Sequence, residues 1–279
     1  MAAGTIGMPV PRSMWSASSE QFHTLVLRGV EETAVAEGYS VLSAVVDTLE
    51  AEIALIRRWA HQRLVDVVIL KDLRRDDPRP RLLRELRMPF VLVGDVRQTG
   101  AEAAVLTDNS RSMHVLLEEL LALGHHRIAH VGGPGELLHS QWRLGAYADF
   151  MADHALAPSY LEGDYGTASG ERCVRALLAL EEVPTVIVFD NDAMAIGGAD
   201  ALHRLGVDVP GDISVVSWDD SLSCQTYDPP LAVLGHRAPQ LGTELWTAAI
   251  ALLAGDSEAM RRVAEIPRIV PRGSLAATG

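Results

Sequence analysis

Residues 184–198 have the sequence PTVIVFDNDAMAIGG, in which an apolar run is followed by polar residues and a helical pattern. The apolar run at 185–189 is typical of a strand covered on both faces of a parallel sheet. Asn191 follows it and is a residue type that caps helix N-termini. A helix is expected at 193–205, ended by Gly206. The stretch therefore predicts one strand–helix unit of an α/β sheet.

The same alternation extends in both directions from this stretch. Short apolar or β-branched runs predict further strands at 5–10, 39–46, 65–70, 90–93, 104–106, 127–131, 213–218, 232–234, 264–266 and 268–270. Amphipathic segments predict helices at 21–37, 50–62, 110–123, 142–154, 172–180 and 241–254. Because the alternation runs through two rounds, we expect two α/β lobes with parallel sheets and right-handed crossovers.

Composition and charge limit the class of protein. The chain has 279 residues, 48% of them hydrophobic, which is enough to bury a sizeable core or two moderate ones. Its net charge of −13 opposes direct binding to a phosphate backbone. Basic residues do cluster between Arg74 and Arg87, but acidic residues dilute them, and a solvated helix face is expected there.

The cysteines and the chain start favour a cytoplasmic protein. Cys173 and Cys224 are too few for a disulfide framework and lack metal-ligand spacing, so neither a metal nor another cofactor is expected. The opening MAAGT lacks a basic segment followed by an apolar one, which argues against a signal peptide. No apolar run reaches the roughly 18 residues of a membrane span, and no membrane association is expected.

Catalytic motifs are missing from the sequence. The segment HVGGPGE at 130–136 superficially resembles a phosphate-binding loop, but it matches neither GxxxxGK[ST] nor GxGxxG, so a tight strand-to-helix turn is expected. His125 and His126 are adjacent, so their rings diverge, and neither HExxH nor GxSxG occurs. We therefore expect a protein that is not an enzyme.

Six segments resemble the lactose-repressor (LacI/GalR) family of bacterial transcription regulators. They are LALGHHRIAHVGGP (121–134), RLGAYADFM (143–151), PTVIVFDNDAMAIGG (184–198), LGVDVPGDISVVSWDD (205–220), PPLAVL (229–234) and PRGS (271–274). The match is strongest over 107–234. Two departures stand out: Gly145 and Ala146 reverse the usual order, and PRSMWSASSEQF at 11–22 is atypical.

The resemblance implies the type I periplasmic-binding-protein-like fold. Two Rossmann-like lobes with parallel sheets are then joined by three crossover strands, near 107–109, 234–237 and 266–269, with a ligand cleft between the lobes. The N-terminal lobe would comprise 1–107 with 236–266, and the C-terminal lobe 108–235 with 267–279. Regulators of this family carry a helix-turn-helix headpiece before the first strand, and we expect this headpiece to be absent from the chain.

The resemblance also implies a function and partners. The chain would be the ligand-sensing and dimerisation domain of a regulator that couples a small-molecule effector, a saccharide, to operator DNA through the headpiece. The alternative is a stand-alone or transport-linked sugar-binding protein without DNA activity. The homodimer would place Tyr227 and the helix around Ile196 against the partner, with packing inside one chain as the other interpretation.

Three residues form the core of the expected ligand site. A ligand rich in hydroxyls requires fixed polar groups at strand ends and flat apolar surfaces. Asp219 follows a predicted strand, and its family match accepts hydrogen bonds from ligand; bracing the next loop is the alternative, a role expected for Asp220. Arg143 is predicted in the first turn of a helix, where the helix dipole disfavours a cation. The resemblance implies that Arg143 contacts ligand, with a surface ion pair as the alternative.

The remaining candidates are less sharply defined. Asn191 either caps its helix or presents its amide to the cleft, and Asp190 is expected to share that task. Tyr165, in EGDYGTASG, occupies the place of an aromatic residue that stacks on ligand in relatives. Trp15 is the candidate from the other lobe, in the atypical segment. Trp218 is expected in the core because it lies in a buried strand.

Overall fold

The computed structural model describes residues 4–11, 21–94 and 101–278. The chain divides into two compact units, Met1–Asp108 with Arg237–Glu265 and Asn109–His236 with Ile266–Gly279. It therefore passes from one unit to the other after Asp108, His236 and Glu265.

Strands and helices alternate in both units. The strands are β1 (Thr5–Pro11), β2 (Ser40–Val46), β3 (Val67–Leu70), β4 (Phe90–Val93), β5 (Ala103–Leu106), β6 (Ile128–Gly132), β7 (Ser159–Glu162), β8 (Val186–Phe189), β9 (Ser214–Ser217), β10 (Ala232–Leu234), β11 (Arg261–Val263) and β12 (Ile269–Val270). The helices are α1 (Gln21–Ala36), α2 (Leu49–Gln62), α3 (Pro78–Glu85), α4 (Asn109–Ala122), α5 (Leu138–Asp153), α6 (Thr167–Leu177), α7 (Asp192–Arg204), α8 (Leu222–Thr226) and α9 (Ala238–Ala254).

Each unit is built on one sheet. The first sheet has the order β11-β5-β4-β3-β1-β2, and its strand pairs are parallel. The second has the order β12-β10-β9-β8-β6-β7 and is parallel except at its edge, where β12 runs antiparallel to β10. The prediction of two parallel-sheet α/β lobes is confirmed.

Alternating side chains cover the two faces of the second sheet. Along β8, Ile187 and Phe189 pack against α6 and α7, whereas Val186 and Val188 pack against α4 and α5. This two-residue period follows from strand geometry, in which successive side chains point to opposite faces. In the first unit, α1 and α9 cover one face of the sheet. Continuous apolar runs are therefore required, because the strands are buried on both faces.

The strand order reverses at one point in the second sheet. After β6 the chain adds β7 on one side and then crosses back to add β8 on the other. In open α/β sheets, ligands bind beyond the carboxyl ends of the strands at such a switch point. A ligand site is therefore expected at the residues that follow β6 and β8.

The structure corrects several expected elements. Helix α8 and strand β7 were not expected, α5 begins at Leu138 rather than 142, and α6 begins at Thr167 rather than 172. Edge strand β11 lies at Arg261–Val263, before the expected 264–266. Strand β7 is partly exposed along its length, which weakens the apolar pattern that marks a strand.

Helix α3 corrects the expectation of a solvated basic face. Arg81 is exposed and pairs with Glu85, as expected. Arg79, however, is buried and donates to Glu52 of α2 from its Nη1 at 2.8 Å. Its Nη2 donates to Asp77 at 2.6 Å. The basic cluster therefore includes one buried cation that joins α3 to α2.

Within 4–11, 21–94 and 101–278, no helix is both long and apolar enough to cross a bilayer.

Candidate functional site

A buried carboxylate connects the ends of β6 and β8. Asp190 directly follows β8, and its side chain has no exposed surface. Its Oδ1 lies 2.9 Å from Nε2 of His130 on β6, and its Oδ2 accepts from the backbone N–H of Gly133 at 3.0 Å. Asp190 was expected to share the ligand contact of Asn191. Its carboxylate faces the protein interior, however, and neither oxygen is exposed.

The charge of Asp190 is stabilised where it lies. Burial by itself would raise the pKa of this carboxyl group. The nearby charge of Arg143 and the hydrogen bonds from His130 and Gly133 outweigh burial and hold the pKa below its ordinary value. Asp190 is therefore an anion at neutral pH.

Arg143 lies over this carboxylate. Helix α5 begins at Leu138, so Arg143 is in its second turn, and the argument from a first-turn cation is wrong. Its Nε donates to Oδ1 of Asn109 at 2.9 Å, and its Nη1 donates to the backbone carbonyl of Asp190 at 3.2 Å. The same Nη1 lies 3.6 Å from Asp190 Oδ1. The ion pair of Arg143 is therefore largely buried and is not a surface pair.

An aromatic ring and a histidine complete the surroundings of Arg143. The guanidinium carbon lies 3.9 Å from the ring centroid of Trp218, which is 2% exposed and belongs to the core, as predicted. The ring of His236 lies 5.5 Å from that of Trp218. Burial, and then the charge of Arg143, lower the pKa of His236 to about 3. His236 is therefore neutral at physiological pH.

Asn191 serves as the cap of α7. Its Oδ1 accepts from the backbone N–H of Met194 at 3.0 Å, which confirms the capping alternative. Its Nδ2 donates to the backbone carbonyl of Tyr165 at 3.0 Å. Both ends of the amide thus have protein partners, and Asn191 ties the loop that carries Tyr165 to α7.

The ring of Tyr165 is held in place by the first turn of α5. Its hydroxyl oxygen lies 2.8 Å from Nε2 of His139 and 3.0 Å from Oγ of Ser140. The backbone of Tyr165 has a φ of 65°, in the left-handed region that non-glycine residues rarely adopt. A Cβ on Gly133 would lie 2.2 Å from the Tyr165 hydroxyl oxygen, so the ring position requires glycine there.

The two acidic residues after β9 differ in their surroundings. Asp220 accepts hydrogen bonds from Nη2 of Arg272 at 2.7 Å and from Nε2 of Gln225 at 3.1 Å, which confirms its expected bracing role. Asp219 is half-buried, and its backbone carbonyl accepts from Ser217 at 2.8 Å. Since β8 and β9 are paired neighbours, Asp219 and Asn191 follow adjacent strand ends.

The remaining predicted residues lie elsewhere. Tyr227 donates to Asp200 of α7 at 2.7 Å, and Ile196 packs partly buried against the core of the second unit. Their expected contact with a partner chain stays a prediction. Trp15 lies outside the described residues. Among the residues that the structure describes, no cluster of His, Cys, Asp and Glu is arranged to hold a metal ion.

Sequence reasoning missed two residues that contact the predicted site, His130 and Asn109. A histidine within a buried apolar strand was the available signal for His130, because a buried polar group needs a partner. Asn109 had no comparable signal, since it lies where the chain enters the second unit.

Comparisons with known proteins identify the family of this chain. A family described as "Periplasmic binding protein-like domain" matches residues 117–275. The HTH-type transcriptional repressor PurR of Vibrio campbellii is 27% identical over 97% of this chain and 81% of its own length. The repressor CytR of Escherichia coli is also 27% identical, over 81% of this chain and 67% of its own length.

Solved structures give the same result. A LacI family regulator from Bifidobacterium animalis subsp. lactis has a TM-score of 0.89 at 26% identity, over 99% of this chain and 98% of its own. A complex of the regulator CelR with cellobiose has a TM-score of 0.85 at 25% identity, over 99% of this chain and 86% of its own. This chain belongs to the periplasmic-binding-protein-like domain family, as the effector-binding domain of LacI/GalR regulators.

Proposed function

We propose that this chain senses a small hydroxyl-rich effector, a saccharide, and couples its binding to operator DNA through a headpiece, as part of a homodimeric regulator that is not an enzyme. The observation that carries the proposal is the fixed Arg143 at the switch point of the second sheet, packed against the ring of Trp218, the residue that precedes Asp219. The names of its relatives support the regulatory part, because PurR and CytR are transcriptional repressors.

The chemistry of these side chains suits hydroxyl groups. A guanidinium offers several N–H donors in a rigid plane, and a carboxylate accepts hydrogen bonds at two oxygens. Arg143 is held by Asn109, Asp190 and Trp218, so little of its conformational entropy is left to lose when ligand binds. Arg143 would donate to ligand hydroxyls and Asp219 would accept from them.

Three further residues have proposed roles around this pair. Tyr165 would offer an apolar ring face to the C–H surface of a sugar, held by its contacts with His139 and Ser140. Asn191, whose amide atoms already have protein partners, would act mainly by holding the Tyr165 loop. Trp15 stays a proposed contact from the first lobe.

Coupling to DNA places one thermodynamic condition on the effector. Ligand shifts the equilibrium between two states of a regulator only if it binds one of them more tightly. A coupling free energy of about 1–3 kcal/mol is typical of such proteins and changes affinity roughly 5- to 150-fold. The proposed effector would therefore have to gain or lose contacts between the two states.

Calorimetric titration with a panel of neutral mono- and disaccharides tests the proposal, with Asp219→Asn as the variant. We expect this variant to lose about 1–3 kcal/mol of binding free energy to the saccharide that binds, because a ligand hydroxyl loses its charged acceptor.

Asp220→Asn is the matched control. Asp220 is the residue next to Asp219, and this variant removes the negative charge that pairs with Arg272. It should therefore lower the melting temperature while the affinity for saccharide stays within about threefold. Wild-type affinity in Asp219→Asn would exclude Asp219 from the site. Equal losses of affinity in both variants would point to a general loss of structure.

A further inference from the structure

In the proposed site, the positive charge of Arg143 lies next to a buried negative charge, the carboxylate of Asp190. The side chain of Arg143 is 10% exposed, whereas that of Asp190 has no exposed surface. The two are 3.6 Å apart, from Nη1 to Oδ1. A ligand could therefore reach the guanidinium but not the carboxylate, although it would feel the charges of both.

The carboxylate does not depend on Arg143 for its position. His130 Nε2 and the Gly133 N–H hold its two oxygens from β6 and the following turn. These contacts would persist if Arg143 shifted towards a ligand. Asp190 therefore supplies a permanent negative charge at this point of the sheet.

The other described contacts of Arg143 bring no positive charge. Asn109 is uncharged, Trp218 offers a ring face, and His236 is neutral because its pKa is lowered to about 3. This side of the proposed site is therefore not a region of net positive charge.

Building on the proposed function, we propose that Asp190 is a positioning residue that cancels the charge of Arg143 and makes the site select neutral, hydroxyl-rich ligands over phosphorylated or carboxylated ones. An arginine that recognises phosphate does so through a charge-assisted, often bidentate pair. Here that pairing would compete with a carboxylate that is already in place. A neutral hydroxyl accepts from the guanidinium without repulsion from Asp190, because it carries no charge.

The variant Asp190→Asn separates charge from shape, since the amide is nearly isosteric with the carboxylate. Inorganic phosphate is the probe, titrated by calorimetry into wild type and variant. We expect Asp190→Asn to bind phosphate at least about tenfold more tightly than wild type, because removing a unit charge at this distance unmasks Arg143. Unchanged phosphate affinity in the folded variant would overturn the proposal.

Asp192→Asn is the matched control. Asp192 is also buried, only two positions further along the chain, but its Oδ1 accepts from the backbone N–H of Ala193, whereas the carboxylate paired with Arg143 is that of Asp190. This variant should change phosphate affinity by less than about twofold. An equal gain in both variants would overturn the proposal, because it would show a nonspecific effect of net charge.

Wild type alone supplies a second test, which holds even if Asp190→Asn fails to fold. Inorganic phosphate, glucose with glucose 6-phosphate, and adenosine with its 5′-monophosphate are the probes. We expect no phosphate binding with a Kd below about 1 mM, and no phosphate ester that binds more tightly than its neutral parent. Tight phosphate binding that is lost in Arg143→Gln, or a preferred ester, would overturn the proposal.

The two proposals fail in different ways. The proposed function fails if neutral saccharides do not bind or if Asp219→Asn binds them like wild type. The inference about Asp190 fails on the preference between anionic and neutral probes, whatever effector binds.

Discussion

At the scale of single residues, the position of Tyr165 depends on the missing side chain at Gly133. We expect Gly133→Ala to destabilise the protein by about 1–3 kcal/mol, because the added Cβ would meet a ring that is held by His139 and Ser140. Urea unfolding followed by circular dichroism measures this change.

Gly145→Ala is the control for this substitution. Gly145 lies within α5, and nothing lies within 4 Å of an added Cβ there. Alanine should stabilise the helix by about 0.5–1 kcal/mol at this position. If the two variants changed stability in the same direction, the close contact between Gly133 and Tyr165 would be wrong.

The neutral state of His236 has a consequence for stability at acid pH. Its pKa is lowered to about 3 in the folded protein, whereas an unfolded histidine titrates near 6.5. Below pH 6.5 the unfolded chain takes up a proton that the folded chain does not. The stability that depends on neutral His236 is therefore complete above pH 6.5 and is lost as the pH falls from 6.5 towards 3.

We expect this loss to be at most about 1.4 kcal/mol per pH unit, with solvent exposure of the residue reducing it. His236→Gln should flatten the pH dependence of unfolding free energy between pH 6.5 and 4, whatever its effect at pH 7. Urea titrations of both proteins at several pH values provide the comparison. Parallel curves for the two would show that His236 does not titrate in this way.

At the scale of elements, α3 is joined to α2 through a buried cation. Arg79 donates to both carboxylate oxygens of Glu52, at 2.8 and 2.9 Å, and also pairs with Asp77. We expect Arg79→Ala to cost about 3–5 kcal/mol of unfolding free energy, because it leaves buried carboxylates without their partner.

Arg81→Ala tests whether burial is the cause. Arg81 lies two positions along the same helix, is exposed, and pairs with Glu85 one turn away. Its loss should cost less than about 0.5 kcal/mol, the usual size of such a surface pair. Similar losses for the two arginines in chemical unfolding would contradict the buried pairing of Arg79.

At the scale of the whole molecule, the proposed homodimer can be tested near Tyr227. Leu222 of α8 is 57% exposed, five positions from Tyr227, and α8 contacts α7, which carries Ile196. If this region faces the partner, Leu222→Asp should raise the dimer Kd at least about tenfold, because it buries a charge. Analytical ultracentrifugation at micromolar concentration measures the change.

Leu180→Asp is the control for the dimer. Leu180 belongs to the same unit, is 45% exposed, and lies beyond the end of α6. We expect this variant to sediment like wild type. Dissociation by both aspartates, or by neither, would place the interface elsewhere.

The sequence by itself determined the two α/β lobes and the covered strands, and it marked Asn191 as one possible cap of α7. These features depend on local patterns, because hydrophobic period and cap residues act over a few positions of chain. The resemblance to one family could likewise be found from short segments, such as residues 184–198.

Only the tertiary structure decided the surroundings of Arg143, the burial of Asp190 and that of Arg79. Asp190 meets His130 across 60 positions of sequence and Arg143 across 47, and Arg79 meets Glu52 across 27. No local pattern marks such pairs, since the strand order and helix packing bring them together. A charged side chain has the same sequence signature whether it is solvated or paired in the interior, and its energetics depend on which of the two occurs.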